Sequence, residues 1–182
     1  MRPVNPPFPP EQIRDILRAI RDQYALAWSG IHGVRHWARV LENGLRLADE
    51  TGADREVVLL FALFHDACRV NDDRDPGHGG RGAKLAASHQ GRLFHIDGTQ
   101  LALLTEACTL HTRGGTEAHT TVQTCWDADR LDLLRVGIRP APRKLCTAAA
   151  REPELMDWAN GRALSNHTSS FASEDWWKPN PD

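Results

Sequence analysis

No apolar run in this chain is long enough to cross a bilayer. The longest, Val57 to Phe64, has eight residues, and a spanning helix needs about 20. The N-terminus, Met-Arg-Pro-Val-Asn-Pro-Pro, lacks the apolar centre of a secretory signal, so a cytoplasmic location is expected. There is no excess of positive charge either. The formal net charge is −2, which argues against long nucleic acid or an acidic membrane surface as a partner and leaves room only for a local basic pocket. Cys68, Cys108, Cys125 and Cys146 form no Cys-x-x-Cys pair. That excludes a zinc knuckle or a thioredoxin-type site, and each cysteine is expected to pack as a small hydrophobe. Repeats, low-complexity tracts and a clear domain boundary are also missing, so the 182 residues read as one domain.

What is present is an ordinary globular mixture, 41% hydrophobic and 25% charged, with nine histidines. The apolar residues recur at helical spacing. Ile13, Ile16, Leu17 and Ile20 mark one face of a helix over Glu11–Trp28, which Ser29-Gly30 breaks. Trp37, Val40, Leu41, Leu45 and Ala48 mark a second, from about Gly33 to Glu50, with Gly52 as its C-cap. Asp54 is placed to cap a third, Arg55 to about Arg69. Its centre is apolar all round, so it should be the most buried helix. A turn-rich loop follows at 71–77. Further helices are expected over His78–Gly91, Asp97–His111, Glu117–Leu134 and Glu154–Leu164, with a loop at Gly114-Gly115 and a break at Pro140 and Pro142. Residues 166–182, with Trp176 and Trp177, read as a packed tail or ordered loop. The fold class is therefore all-α, a helical bundle with an N-terminal helix and an irregular C-terminal tail.

The chemistry is carried by an order of residues rather than by one motif. A single His-Asp dipeptide is close to a chance event in this composition. His65-Asp66, however, ends the most buried helix, where two ionisable groups are costly unless paired or metal-bound. His36 stands on the second helix, and Asp127 and Asp129 on the sixth. Asp127 and Asp129 point about 200° apart on a helix, so only one of them faces a given site. Imidazole and carboxylate together suit Mn, Fe, Ni, Co or Zn, and a bundle builds such a site from facing helices.

This pattern resembles the HD superfamily, whose fold is a helical bundle. His36-Trp37-Ala38-Arg39-Val40 matches the family's H-x-x-R-V context, His65-Asp66 its namesake pair, and Ala128-Asp129-Arg130-Leu131 its A-D-x-L context. The resemblance spans about residues 30–135, leaving 136–182 as an extension of a single domain. It implies a divalent transition metal on His36, His65, Asp66 and Asp129. It also selects Asp129 over Asp127. His78 and His111 extend the order to H…HD…H…H…D. In members of that subset they hold a second metal, and in single-metal members similarly placed groups touch substrate. The Gly-Tyr-Pro signature of cyclic-dinucleotide phosphodiesterases is absent, with Arg113-Gly114-Gly115 near its place.

The implied function is a metal-dependent phosphohydrolase acting on a nucleotide or another small phosphate ester. Asp66, Asp72 or Asp73 would receive the proton of the attacking water. Arg69, Arg81, Lys84, Arg113 and Arg130 are candidates to hold phosphate. Each of these cations is individually as readily a solvated surface charge. Two other functions fit the same residues: a di-iron oxygenase, and a non-catalytic module that binds a nucleotide or a partner. His32 reads equally well as a residue orienting a ligand or as part of a turn.

Overall fold

The computed structural model describes residues 5–113 and 115–169. Its elements are seven α-helices joined by loops and short 3-10 turns, with no strand among the described residues: α1 Pro10–Arg21, α2 Val34–Thr51, α3 Arg55–Phe64, α4 His78–His89, α5 Gly98–Leu110, α6 Thr120–Arg130 and α7 Pro153–Leu164.

α3 is the axis of the bundle. Every residue from Val57 to Phe64 is buried, and α2, α4, α5 and α6 all pack on it. Burying a side chain of this kind contributes roughly 1.5–3 kcal/mol, so these two turns carry much of the core. Asp54 starts the helix by accepting from the amides of Glu56 and Val57, both at 3.0 Å. α5 starts with a reciprocal box in which Asp97 and Gln100 satisfy each other's backbone amides. α2 ends at Gly52, whose φ of 72° is the left-handed turn expected of a glycine C-cap. Gly44 lets α2 approach closely, because a Cβ there would lie 2.5 Å from Val58 and 3.3 Å from Ala128.

Helix ends differ from the sequence expectation in three places. α1 stops at Arg21, well before Trp28. The chain instead turns so that Tyr24, Trp28 and Trp37 pack edge to face, with ring centroids 5.3–5.6 Å apart. Gln23 closes this turn by donating to Ala67 O at 3.0 Å. α3 stops at Phe64, and residues 65–68 form a turn held by Arg81, whose guanidinium donates to Cys68 O at 3.0 and 3.1 Å. α6 runs only from Thr120 to Arg130, with the His119 ring capping its first turn.

α7 packs on α2. Arg162 pairs with Glu42, and Ser169 donates to the same carboxylate at 2.6 Å. Trp176 and Trp177 lie outside the described residues. Cys108 and Cys125 are buried in the core, while Cys68 and Cys146 are half-buried. No described helix is long and apolar enough to cross a membrane.

Candidate metal centre

The turn after α3 places His65 and Asp66 at the centre of the bundle, and four other elements bring side chains to them. His36 comes from the first turn of α2, His78 from the first residue of α4, and His111 from the end of α5. Asp129 comes from the last turn of α6. All four imidazoles and Asp66 are buried.

Asp66 faces two pairs of imidazoles with different oxygens. Its Oδ2 lies 3.8 Å from Nε2 of both His36 and His65. Its Oδ1 lies 3.0 Å from Nε2 of His78 and 3.7 Å from that of His111. Asp129 joins the first pair, its Oδ1 3.4 Å from His36 and 3.9 Å from His65. Two donor triads therefore share Asp66: His36, His65, Asp66, and Asp66, His78, His111.

The hydrogen bonds on the far side of each ring fix what the near side presents. His36 Nδ1 donates to the Asp132 carboxylate at 2.7 Å. His65 Nδ1 donates to Phe61 O at 3.1 Å and Ala62 O at 3.2 Å. His78 Nδ1 donates to Asp75 O, and His111 Nδ1 to Cys108 O at 2.7 Å. All these partners are acceptors only, so each Nδ1 carries the proton, and in the neutral form that a metal ligand requires each ring turns an Nε2 lone pair inward. Those lone pairs meet: His36 and His65 Nε2 are 3.1 Å apart, and His78 and His111 Nε2 are 2.9 Å apart. Asp66 Oδ1 makes no hydrogen bond although it is buried. Acceptors crowded together with an orphaned carboxylate oxygen are unstable against one another unless a cation lies among them. The donor set, imidazole plus carboxylate, fits a divalent transition ion.

The electrostatics agree. Burial pushes the His65 imidazolium down to about 3, so the ring is neutral. Burial works against ionisation of Asp66 and Asp129. Around Asp66 the neighbouring imidazoles of His65, His111, His32 and His78 win, and hold its carboxyl well below the usual carboxylate range. Around Asp129 the adjoining His36, with His65 and Arg135 nearby, does the same.

α4 reaches the site because it has glycines where it touches its neighbours. A Cβ at Gly79 would stand 2.1 Å from Cys108 O, and one at Gly82 would stand 2.2 Å from Phe64 O. Both positions require the absence of a side chain, and together they let α4 lie against the ends of α5 and α3.

The chain matches a model of the HD-domain family over residues 33–134. It belongs to the HD-domain family. The fold of this HD-domain protein is also similar to the crystal structure of a predicted HD superfamily hydrolase from an uncultured Thermotogales bacterium, with a TM-score of 0.61 and 24% sequence identity over 84% of this chain and 87% of that one. No curated protein matches it.

The other sequence candidates divide. Asp127 lies elsewhere, accepting from the amides of Cys146 and Thr147 at 2.7 and 2.8 Å. Arg69 is at the centre, 3.6 Å from Asp66 Oδ1, and its guanidinium also donates to Asn71 O and Asp73 O. Arg81 is taken up by Cys68 O and by Asp75 at 2.5 Å. Arg130 is taken up by Lys144 O and Gly115 O, away from Asp129. These two arginines staple loops together rather than line the centre. Lys84 and Arg113 are exposed. Asp72 and Asp73 are exposed too, and meet the centre through their backbone carbonyls, which accept from His32 and Arg69.

Four residues escaped the sequence reading or were left open there. His32 Nδ1 lies 2.9 Å from Asp66 Oδ2, and its Nε2 faces Asp72 O at 3.2 Å, so both nitrogens meet oxygen acceptors. Asp132 receives His36. Arg39 forks onto Asp132 at 2.7 and 3.0 Å. Arg135 lies 4.0 Å from Asp129 and 3.8 Å from Asp132. The available signal was the spacing His36-x-x-Arg39 and Asp129-x-x-Asp132, which puts each pair on one helical face.

Proposed function

We propose that this HD-domain protein is a metal-dependent phosphohydrolase acting on a nucleotide or another small phosphate ester. The observation that carries the proposal is Asp66 set between two converging imidazole pairs. His36, His65, Asp66 and Asp129 would hold one divalent ion, and His78 and His111, sharing Asp66, a second. Such an ion supplies Lewis acidity and a bound water of lowered pKa.

The chain's own residues support an anionic substrate. Three carboxylates, Asp66, Asp129 and Asp132, face three guanidinium groups, Arg39, Arg69 and Arg135, so the protein's charges at the centre roughly balance. Uptake of a divalent cation then leaves the centre net positive, suited to a phosphate. Asp129 has the most open of the ligand side chains, 15% exposed against 3% or less for the others, so substrate meets the centre beside Asp129 and Arg135. Arg135 and Arg69 would hold phosphoryl oxygens by charge-assisted hydrogen bonds, with the donors they do not already give to Ile31 O, Asp132 O, Asn71 O and Asp73 O. His32, holding Asp66 Oδ2, would keep that carboxylate oriented.

The test is phosphate release from nucleotides and sugar phosphates with Mn, Co, Ni, Fe, Zn or Mg added. Release by the wild type and none by Asp129→Ala supports the proposal. Two half-sites sharing a carboxylate also suit a di-iron centre. Silence across the phosphate panel with oxygen consumption by the iron-loaded protein would move the assignment to an oxygenase, and silence in both assays to a binding module.

A further inference from the structure

The four inward-facing imidazoles are not held alike. Three of them, His65, His78 and His111, donate their Nδ1 proton to neutral backbone carbonyls. Only His36 donates to a carboxylate, Asp132 Oδ2, at 2.7 Å. Asp132 is itself 1% exposed. A carboxylate so buried needs compensation, and Arg39, 2% exposed, gives it through two bonds of a planar fork, Nε to Oδ1 at 2.7 Å and Nη2 to Oδ2 at 3.0 Å. Arg39 is anchored in turn by Asn166 Oδ1 at 3.0 Å, from the segment after α7.

We infer that Asp132, clamped by Arg39, is a positioning residue that acts through His36 and makes the His36–His65–Asp129 half-site the tighter of the two. The physics is that of a carboxylate–histidine–metal relay. A carboxylate on Nδ1–H locks the ring's tautomer and rotation and raises the electron density at Nε2, which makes a better ligand. A backbone carbonyl supplies the lock with less polarisation. The His78–His111 half-site lacks any such carboxylate, since both of its rings rest on carbonyls. The two halves should therefore fill in order, the His36 half first.

The inference rests on the metal-binding part of the proposed function and is independent of the reaction catalysed. Its experiment uses Co(II) titration, read by absorbance and by calorimetry, on two backgrounds. His78→Ala/His111→Ala leaves the His36 half, and His36→Ala/His65→Ala leaves the other. Asp132→Asn is then added to each. The expected result is a loss of affinity on the order of 10–100-fold in the first background, little change in the second, and partial recovery in the first with Asp132→Glu. A purely structural role for the Asp132–Arg39 pair would lower both affinities together, or lower only the melting temperature, and either result overturns the inference. Equal affinity of the two half-sites before Asp132 is altered overturns it as well. Should the Asp132 variants fail to fold, the ring nitrogens of the wild type decide. Long-range proton–nitrogen NMR must show His36 protonated at Nδ1 with a strongly downfield proton, and an Nε2–H tautomer there refutes the relay. A wild type that binds no Co(II) at all overturns the inference and the metal centre with it, whereas the outcomes above leave the metal centre standing.

Discussion

Gly79→Ala is the substitution whose effect can be worked most directly from the geometry. The added Cβ would lie 2.1 Å from the carbonyl oxygen of Cys108 and 3.0 Å from two ring atoms of His111. Carbon–oxygen contacts normally stand at about 3.3–3.6 Å, so α4 and the end of α5 must separate by about 1.2 Å. That carbonyl also orients His111 through its 2.7 Å bond to Nδ1. Overpacking of this kind costs about 1–3 kcal/mol, while alanine repays up to about 1 kcal/mol of helix propensity. A net loss of about 1–2 kcal/mol lowers the melting temperature by roughly 2–8 °C in a chain of this size. The larger consequence is at the site, because ligand positions are tolerant only to about 0.2 Å. Metal stoichiometry should fall toward the His36 half alone. Gly80→Ala is the control, because its Cβ meets nothing within 4 Å, and it should be neutral or slightly stabilising. The assays are thermal unfolding and elemental analysis of both variants side by side. If Gly79→Ala melts with Gly80→Ala and keeps the wild-type metal content, the close approach of α4 does not build the second half-site and the reasoning is wrong.

Three further outcomes follow from the same geometry. Chelation should lower the melting temperature, since an ion that gathers groups from several helices binds the folded chain preferentially, worth about 2.7 kcal/mol at a hundredfold excess over its dissociation constant; coincident apo and loaded melting curves would contradict this. Acidification should empty the His78–His111 half first. Burial pulls His111 down, but the Asp66 and Asp129 carboxylates beside it prevail and hold it above its ordinary value of 6.5, whereas burial keeps His65 down at about 3. A proton therefore competes for His111 as pH falls from neutrality and for His65 only in strong acid, so stoichiometry measured between pH 8 and pH 5 should fall by about one ion, the His36 half being kept. Asp127→Ala should cost about 1–3 kcal/mol in urea unfolding, because it leaves the buried amide of Thr147 without its acceptor, yet retain metal; Asp129→Ala should lose metal affinity with the smaller stability change in the chelated protein.

The helices and the six candidate ligands were legible because each leaves a local trace. Val57–Phe64 is apolar on every face, which announces a buried helix, and His65-Asp66 at its end is too polar for that place without a partner. The helix ends were not legible where distant side chains set them. Nothing near Arg21 states that Gln23 will reach Ala67 or that Trp28 will pack on Trp37. Arg130 was misread because it adjoins Asp129 in sequence, although one residue along a helix turns the side chain by about 100°, here toward Gly115 and Lys144. Asp132 and Arg39 were missed for the opposite reason. They touch the site only through His36, and their contact joins residues 93 apart by packing of α2 against the turn after α6; the spacing sets each beside a ligand but does not show that the two meet. Gly79 and Gly82 were visible as residues, but their use as points of helix contact depends on what lies across from them.

Asp66 is the residue shared by both donor triads, and its replacement tests the central claim most directly. The measurement is the divalent metal bound per chain, by elemental analysis after saturation with Mn, Fe, Co, Ni or Zn and removal of excess, in the wild type and in Asp66→Ala. The account predicts a stoichiometry approaching two in the wild type and little or none in a folded Asp66→Ala. A wild type that retains none of these ions, or an Asp66→Ala that retains as much as the wild type, would contradict it.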